Sequence, residues 1–162
     1  MNVFDFAMKM ELQGKATYEN LAASTDVAGL KTIFEGLAAD EQKHYEVFRD
    51  LKEGKSWKMD DSRMLDKARS VFGDLLADKE QLMGHLHEDL DAYKVGLKIE
   101  ADSIRLYEEM AKKEKDQEMM QLYLRIANEE KKHYNIIDNI CDFVMRPKYY
   151  LEWREFTNLE PL

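Results

Sequence analysis

The sequence predicts an all-α protein: a four-helix bundle of two duplicated helical hairpins, a long helical crossover between helices 2 and 3, and a short C-terminal helical tail. Three observations carry this reading. Only two prolines and seven glycines interrupt 162 residues, so long helices meet few breakers. Apolar residues recur at three- and four-residue spacing through four stretches. A single offset of 89 residues carries Glu11 to Glu100, Tyr18 to Tyr107, Ala38 to Ala127, Glu41 to Glu130, His44 to His133 and Tyr45 to Tyr134, as a duplicated hairpin requires.

The first helix is expected from Asn2 to about Ala23, its stripe formed by Phe4, Ala7, Met8, Glu11, Tyr18 and Leu21. Ser24, Thr25 and Asp26 make a polar connection and supply an N-cap for the second helix. That helix carries Leu30, Ile33, Leu37, Glu41, His44, Phe48 and Leu51 and stops near Gly54. In residues 54 to 89, Ser62 can cap a helical segment containing Met64, Leu65, Ala68 and Phe72, and Leu75, Leu76 and Leu82 continue its rhythm. A helical crossover lets the third helix start far from the end of the second. The third helix, from about Asp89 to Lys113, aligns Tyr93, Leu97, Glu100, Ile104, Tyr107 and Ala111. Asp116 can cap the fourth, where Met119, Leu122, Ile126, Glu130, His133, Ile137 and Ile140 line up until Pro147. Residues 1–146 are thus the bundle and 147–162 a tail. Its Tyr149, Tyr150, Trp153 and Phe156 suit docking on the bundle or a partner.

Composition narrows the function classes. A net charge of −9 with no separate basic cluster argues against nucleic acid or an anionic membrane as partner. No apolar run approaches the ~20 residues that span a bilayer, and Asp5 spoils a signal peptide. The single cysteine, Cys141, forms no internal disulfide and no Cys-x-x-Cys knuckle, which suits a reducing cytoplasm. Its spacing from His133 and Ile137 makes it a core filler. His85 and His87 lack any matching acidic pattern and read as surface residues.

The chemistry lies in one pattern used twice, Glu41-Gln42-Lys43-His44 and Glu130-Lys131-Lys132-His133. Residues three apart share a helix face, so each copy aims a carboxylate and an imidazole the same way. Glu11 precedes Glu41 by 30 residues, and Glu100 precedes Glu130 by the same 30. All six positions replace apolar residues on buried stripes. A lone glutamate in a helix is ordinarily solvated, but four buried carboxylates must be neutralised by protons or cations. Two divalent metals cancel four carboxylates, and imidazole with carboxylate suits iron, manganese or zinc. Tyr18 and Tyr107 lie two turns beyond Glu11 and Glu100, placed either as core aromatics or to hydrogen-bond a ligand carboxylate. Asp40 and Glu129 are placed to orient the opposite histidines. The ten methionines are mostly adaptable core filling.

With Lys9-Met10-Glu11 and Tyr18, Asp40-Glu41-Gln42-Lys43-His44, Lys98-Ile99-Glu100 and Tyr107, and Glu129-Glu130-Lys131-Lys132-His133 in view, the chain resembles the rubrerythrin branch of the ferritin-like superfamily. The form it resembles is the small one without a rubredoxin domain. The resemblance implies bridging roles for Glu41 and Glu130 between two iron ions, Glu11 and His44 completing one ion, and Glu100 and His133 the other. Rubrerythrins proper carry an extra glutamate one turn after the third-helix ligand, where this chain has Ser103. The remaining six-ligand set is similar to that of bacterioferritin ferroxidases.

The function implied is a di-iron oxidoreductase, a non-haem peroxidase that reduces hydrogen peroxide or dioxygen with electrons from an external donor such as rubredoxin. A ferroxidase or iron-handling protein is the first alternative, and a non-catalytic metal-binding bundle the second. A homodimer is the expected assembly.

Overall fold

The computed structural model describes residues 2–77 and 88–145. They form five helices: α1 Val3–Ser24, α2 Ala28–Lys52, α3 Met64–Ala77, α4 Leu90–Lys113 and α5 Gln117–Met145. The tail, Pro147, Leu82, His85 and His87 lie outside the described residues. None of the described helices is long and apolar enough to cross a membrane.

Local chemistry fixes most of the helix ends. The Asn2 side chain caps α1 by accepting from the Asp5 N–H at 3.0 Å. Asp89 caps α4, accepting from Asp91 and Ala92 at 3.0 and 3.3 Å, and Asp116 caps α5, accepting from Glu118 at 2.9 Å. Ser62 accepts from Met64 at 3.1 Å and starts α3. At Gly54 φ is +71°, the left-handed turn that follows α2. One expected cap is not made. Val27 holds the N-cap position of α2 with no side-chain bond, because Thr25 ends α1 instead, accepting from the Val27 N–H and donating to Glu88.

Helices α1 and α2 form one hairpin and α4 and α5 the other; α1 also packs on α4, while α3 lies across α2 and α5. The core divides into two apolar layers. One contains Leu30, Ile33, Phe34, Tyr93, Ile136 and Ile140 with Phe72 and Leu76 of α3; the other contains Ala7, Phe48, Met110, Leu122 and Ile126 with Met59 of the crossover. Every long helix passes from one layer to the other. Between them each contributes buried polar residues at the same height, Glu11, Asp40, Glu41, His44, Glu100, Ser103, Glu129, Glu130 and His133. Cys141 is buried in the first layer.

Candidate metal centre

Glu11, His44, Glu100, Glu130 and His133 have no solvent exposure and Glu41 only 1%. Helical spacing turns both residues of each Glu-x-x-His pair into the bundle, and the opposed hairpins bring the pairs face to face. The two imidazole rings stand 6.1 Å apart, 24° from parallel. Donor atoms fall into two groups, Glu11, Glu41, His44 and Glu130, and Glu41, Glu100, Glu130 and His133, the atoms of each lying within 4.8 Å of one another. Glu41 and Glu130 belong to both groups.

The structure therefore brings together all six residues singled out from the sequence. It also shows how they are held. His44 Nδ1 faces the cluster, 2.8 Å from Glu130 Oε1 without the alignment of a hydrogen bond and 3.4 Å from Glu11 Oε2. His133 Nδ1 lies 2.8 Å from Glu41 Oε1 and 3.3 Å from Glu100 Oε1. Both Nε2 atoms point outward to a carboxylate of the opposite hairpin: His44 to Glu129 Oε1 at 2.8 Å and His133 to Asp40 Oδ2 at 2.9 Å. Such pairs fix ring orientation and leave the inner nitrogen as donor to a cation.

The tyrosines cross over as well. Tyr18 donates to Glu100 and Tyr107 to Glu11, each reaching the glutamate of the other hairpin. Burial first, then the adjacent carboxylates, raises both phenols far above their ordinary range, so both remain donors.

The remaining carboxylate oxygens test what the site can hold. Glu11 Oε2, Glu100 Oε2 and both oxygens of Glu130 are buried without a hydrogen-bond partner. Orphaned lone pairs of this kind are costly unless a cation takes them. Carboxylate and imidazole donors suit divalent iron, manganese or zinc. The residues present fit bound divalent metal.

Titration behaviour agrees with the geometry. Burial, reinforced by Glu11, Glu130 and Glu100, raises the Glu41 carboxyl, and burial with Glu100 and Glu11 raises Glu130. Burial acts against Glu100 ionisation, but the neighbouring Glu130 and His133 and the Tyr18 hydroxyl leave its carboxyl lowered. Burial pulls both imidazoles down, yet the surrounding carboxylates prevail and hold His44 and His133 above their ordinary value. The outer pair is lowered, because contacts from His133 and Ser62 outweigh the burial of Asp40, and those from His44 and Ser62 that of Glu129.

Two contributors were not singled out from the sequence for this site. Gly14 lies one turn after Glu11, and a Cβ there would stand 2.9 Å from Glu41 Oε2. Its signal was a lone glycine inside α1, at the offset partner of Ser103. Ser62 reads from sequence as a helix cap only. Its hydroxyl donates to Asp40 and its N–H to Glu129 at 3.1 Å.

A helical bundle whose four long helices enclose a layer of carboxylates and imidazoles belongs to the ferritin-like class. Residues 2–141 match the Rubrerythrin family, and the chain belongs to it. Neither a curated protein nor a solved structure matches the chain.

Proposed function

We propose that the chain is a di-iron oxidoreductase that reduces hydrogen peroxide, or dioxygen, with electrons delivered by a separate donor protein such as rubredoxin. The observation that carries this reading is the pair of overlapping donor groups sharing Glu41 and Glu130, with buried carboxylate oxygens that no protein group satisfies. Glu41 and Glu130 would hold both ions, Glu11 with His44 one of them, and Glu100 with His133 the other. When bound, two ferrous ions supply the two electrons that, with two protons, convert one peroxide into two waters. The protein's part is to bind and to aim. Tyr18 and Tyr107 fix one oxygen each of Glu100 and Glu11; Asp40 and Glu129 fix the rings of His133 and His44. The apolar layers on either side exclude water and strengthen every charged contact between them.

A ferroxidase is the second reading, favoured by Ser103, which is buried at this level where rubrerythrins proper carry a further glutamate. Stopped-flow mixing separates the two. The protein, loaded anaerobically with two ferrous ions per chain, is mixed with peroxide and, separately, with dioxygen. Faster oxidation by peroxide, reversed by a reduced donor, supports the peroxidase. Fast oxidation by dioxygen with continued uptake of ferrous iron replaces it with the ferroxidase. Binding without turnover leaves a bundle that only holds metal. The assembly we propose is a homodimer in the cytoplasm; particle size in solution tests it, and a large shell would favour iron storage.

A further inference from the structure

We propose that Ser62, in the crossover, is a positioning residue for both histidines of the centre. Its hydroxyl donates to Asp40 Oδ2, the same oxygen that His133 Nε2 meets at 2.9 Å. Its backbone N–H donates to Glu129 Oε2 at 3.1 Å, while Glu129 Oε1 meets His44 Nε2 at 2.8 Å. One residue thereby ties the outer carboxylate of each hairpin, and through it the inner nitrogen of each ring. Cap formation for α3 does not require this. Ser62 reaches residues 22 and 67 positions away in sequence, and the segment before it is itself fastened to α5, where Arg125 donates to Met59 O at 3.0 Å and Asp61 Oδ1 at 2.8 Å.

The two ties differ in kind, and this makes the inference selective. The hydroxyl tie can be removed by mutation, whereas the amide tie survives any substitution except proline. Loss of the hydroxyl therefore leaves Asp40 held only from its other oxygen, by Lys43 Nζ at 3.2 Å, and loosens His133, while Glu129 and His44 stay held. The pseudo-equivalent halves would cease to match. The inference rests on the metal-binding reading for its consequence, but its geometry is testable without metal.

The experiment is nuclear magnetic resonance of protein carrying 15N-histidine, without metal and after titration with Zn2+, for wild type, Ser62→Ala and Ser62→Thr. In Ser62→Ala the Nε2–H resonance of His133 should shift and exchange faster with solvent, that of His44 should stay, and Zn2+ affinity should fall by about 10-fold, at the low end for groups that orient metal ligands. Ser62→Thr, which keeps the hydroxyl, should restore all three. Asp116→Ala removes a cap of the same kind from α5 and should move neither resonance. Unchanged histidine signals in Ser62→Ala, or equal changes at both rings, would overturn the inference and leave Ser62 a cap. If Ser62→Ala does not fold, Ser62→Gly keeps a tolerable cap without the hydroxyl and is read the same way. A wild type that binds no Zn2+ counts against metal binding, and the metal-free spectra then decide the role of Ser62 alone.

Discussion

The α1–α2 and α4–α5 halves each present two glutamates and a histidine to the centre, yet the protein around them is not symmetric. Glu11 and Glu100, Tyr18 and Tyr107, and His44 and His133 occupy equivalent places, and each tyrosine and outer carboxylate serves the opposite half. Helix α3 then packs on α2 and α5, and Ser62 just before it meets Asp40 with a hydroxyl but Glu129 with an amide. Gly14 and Ser103 likewise share a register without sharing a shape. Duplication sets which groups converge; the unduplicated crossover and the small residues set how alike the two ends of the centre are.

The largest effect should come from the residues common to both donor groups. Glu41→Ala or Glu130→Ala removes a carboxylate from each group at once, whereas Glu11→Ala or Glu100→Ala depletes one. Metal analysis should show the first pair unable to retain either ion and the second pair retaining one. On the peroxidase reading, turnover should vanish in Glu41→Ala although the helices still form by circular dichroism, since the substitution removes a buried polar group and leaves the apolar layers on either side intact. Full turnover in that variant would refute the assignment of the centre.

Next come the crossed tyrosines. Tyr18→Phe and Tyr107→Phe each remove one donor to a buried carboxylate, a loss of about 1.5–3 kcal/mol when the acceptor is charged. Thermal unfolding should show two similar losses, and the double variant should add them within about 0.5 kcal/mol if the halves act independently. A much larger loss for one of them would show that the pseudo-symmetry is structural but not energetic.

Much of this was readable from sequence because two periodicities coincide. The helical rhythm and the 89-residue offset both pass through Glu11, Glu41, His44, Glu100, Glu130 and His133, so chemistry and register pointed inward together. Spacing also put Tyr18 and Tyr107 on the faces of Glu11 and Glu100, but could not say that each would bond the other hairpin's glutamate, since that depends on how the hairpins oppose. Ser62 was legible only through its local task, the cap on Met64, because its ties to Asp40 and Glu129 exist only after the crossover folds back over α2 and α5. Thr25 shows the opposite failure: local propensity suggested a cap for α2, and the contact with Glu88 drew it elsewhere.

Titration offers a smaller, collective test. Glu41 and Glu130 carry raised carboxyls against an ordinary 4.5, and His44 and His133 raised imidazoles against 6.5. Each binds its proton more tightly folded than unfolded, so its contribution is complete below the unfolded value and is lost as pH rises through the folded one. Asp40, Glu100 and Glu129 are lowered; they stabilise above the unfolded carboxylate range and no longer vary near neutrality. Above about pH 6.5 the unfolding temperature of metal-free protein should therefore fall with pH. Metal binding displaces these protons, so the rise produced by metal should grow over the same range. Calorimetry with and without metal checks both slopes, and a metal-free protein that gains stability from pH 6.5 upward would contradict the buried proton arrangement.

The smallest expected change in stability separates Gly14 from Ser103. A Cβ at Gly14 would press on Glu41 Oε2 at 2.9 Å and Cδ at 3.3 Å, both at the movable end of that side chain. The carboxylate can swing aside, and alanine is the better helix former by up to about 1 kcal/mol, so Gly14→Ala should leave metal-free unfolding unchanged or slightly raised. Yet the displaced oxygen belongs to a residue shared by both donor groups. Metal affinity should drop by about 10-fold, the size of effect seen when ligand orientation is disturbed. Ser103→Ala adds no atom at the matching position of α4 and should change affinity far less. Titration of both variants with Zn2+ decides the point: equal behaviour would mean that Glu41 keeps its place despite the methyl group, and that Gly14 serves only the packing of α1 against α2.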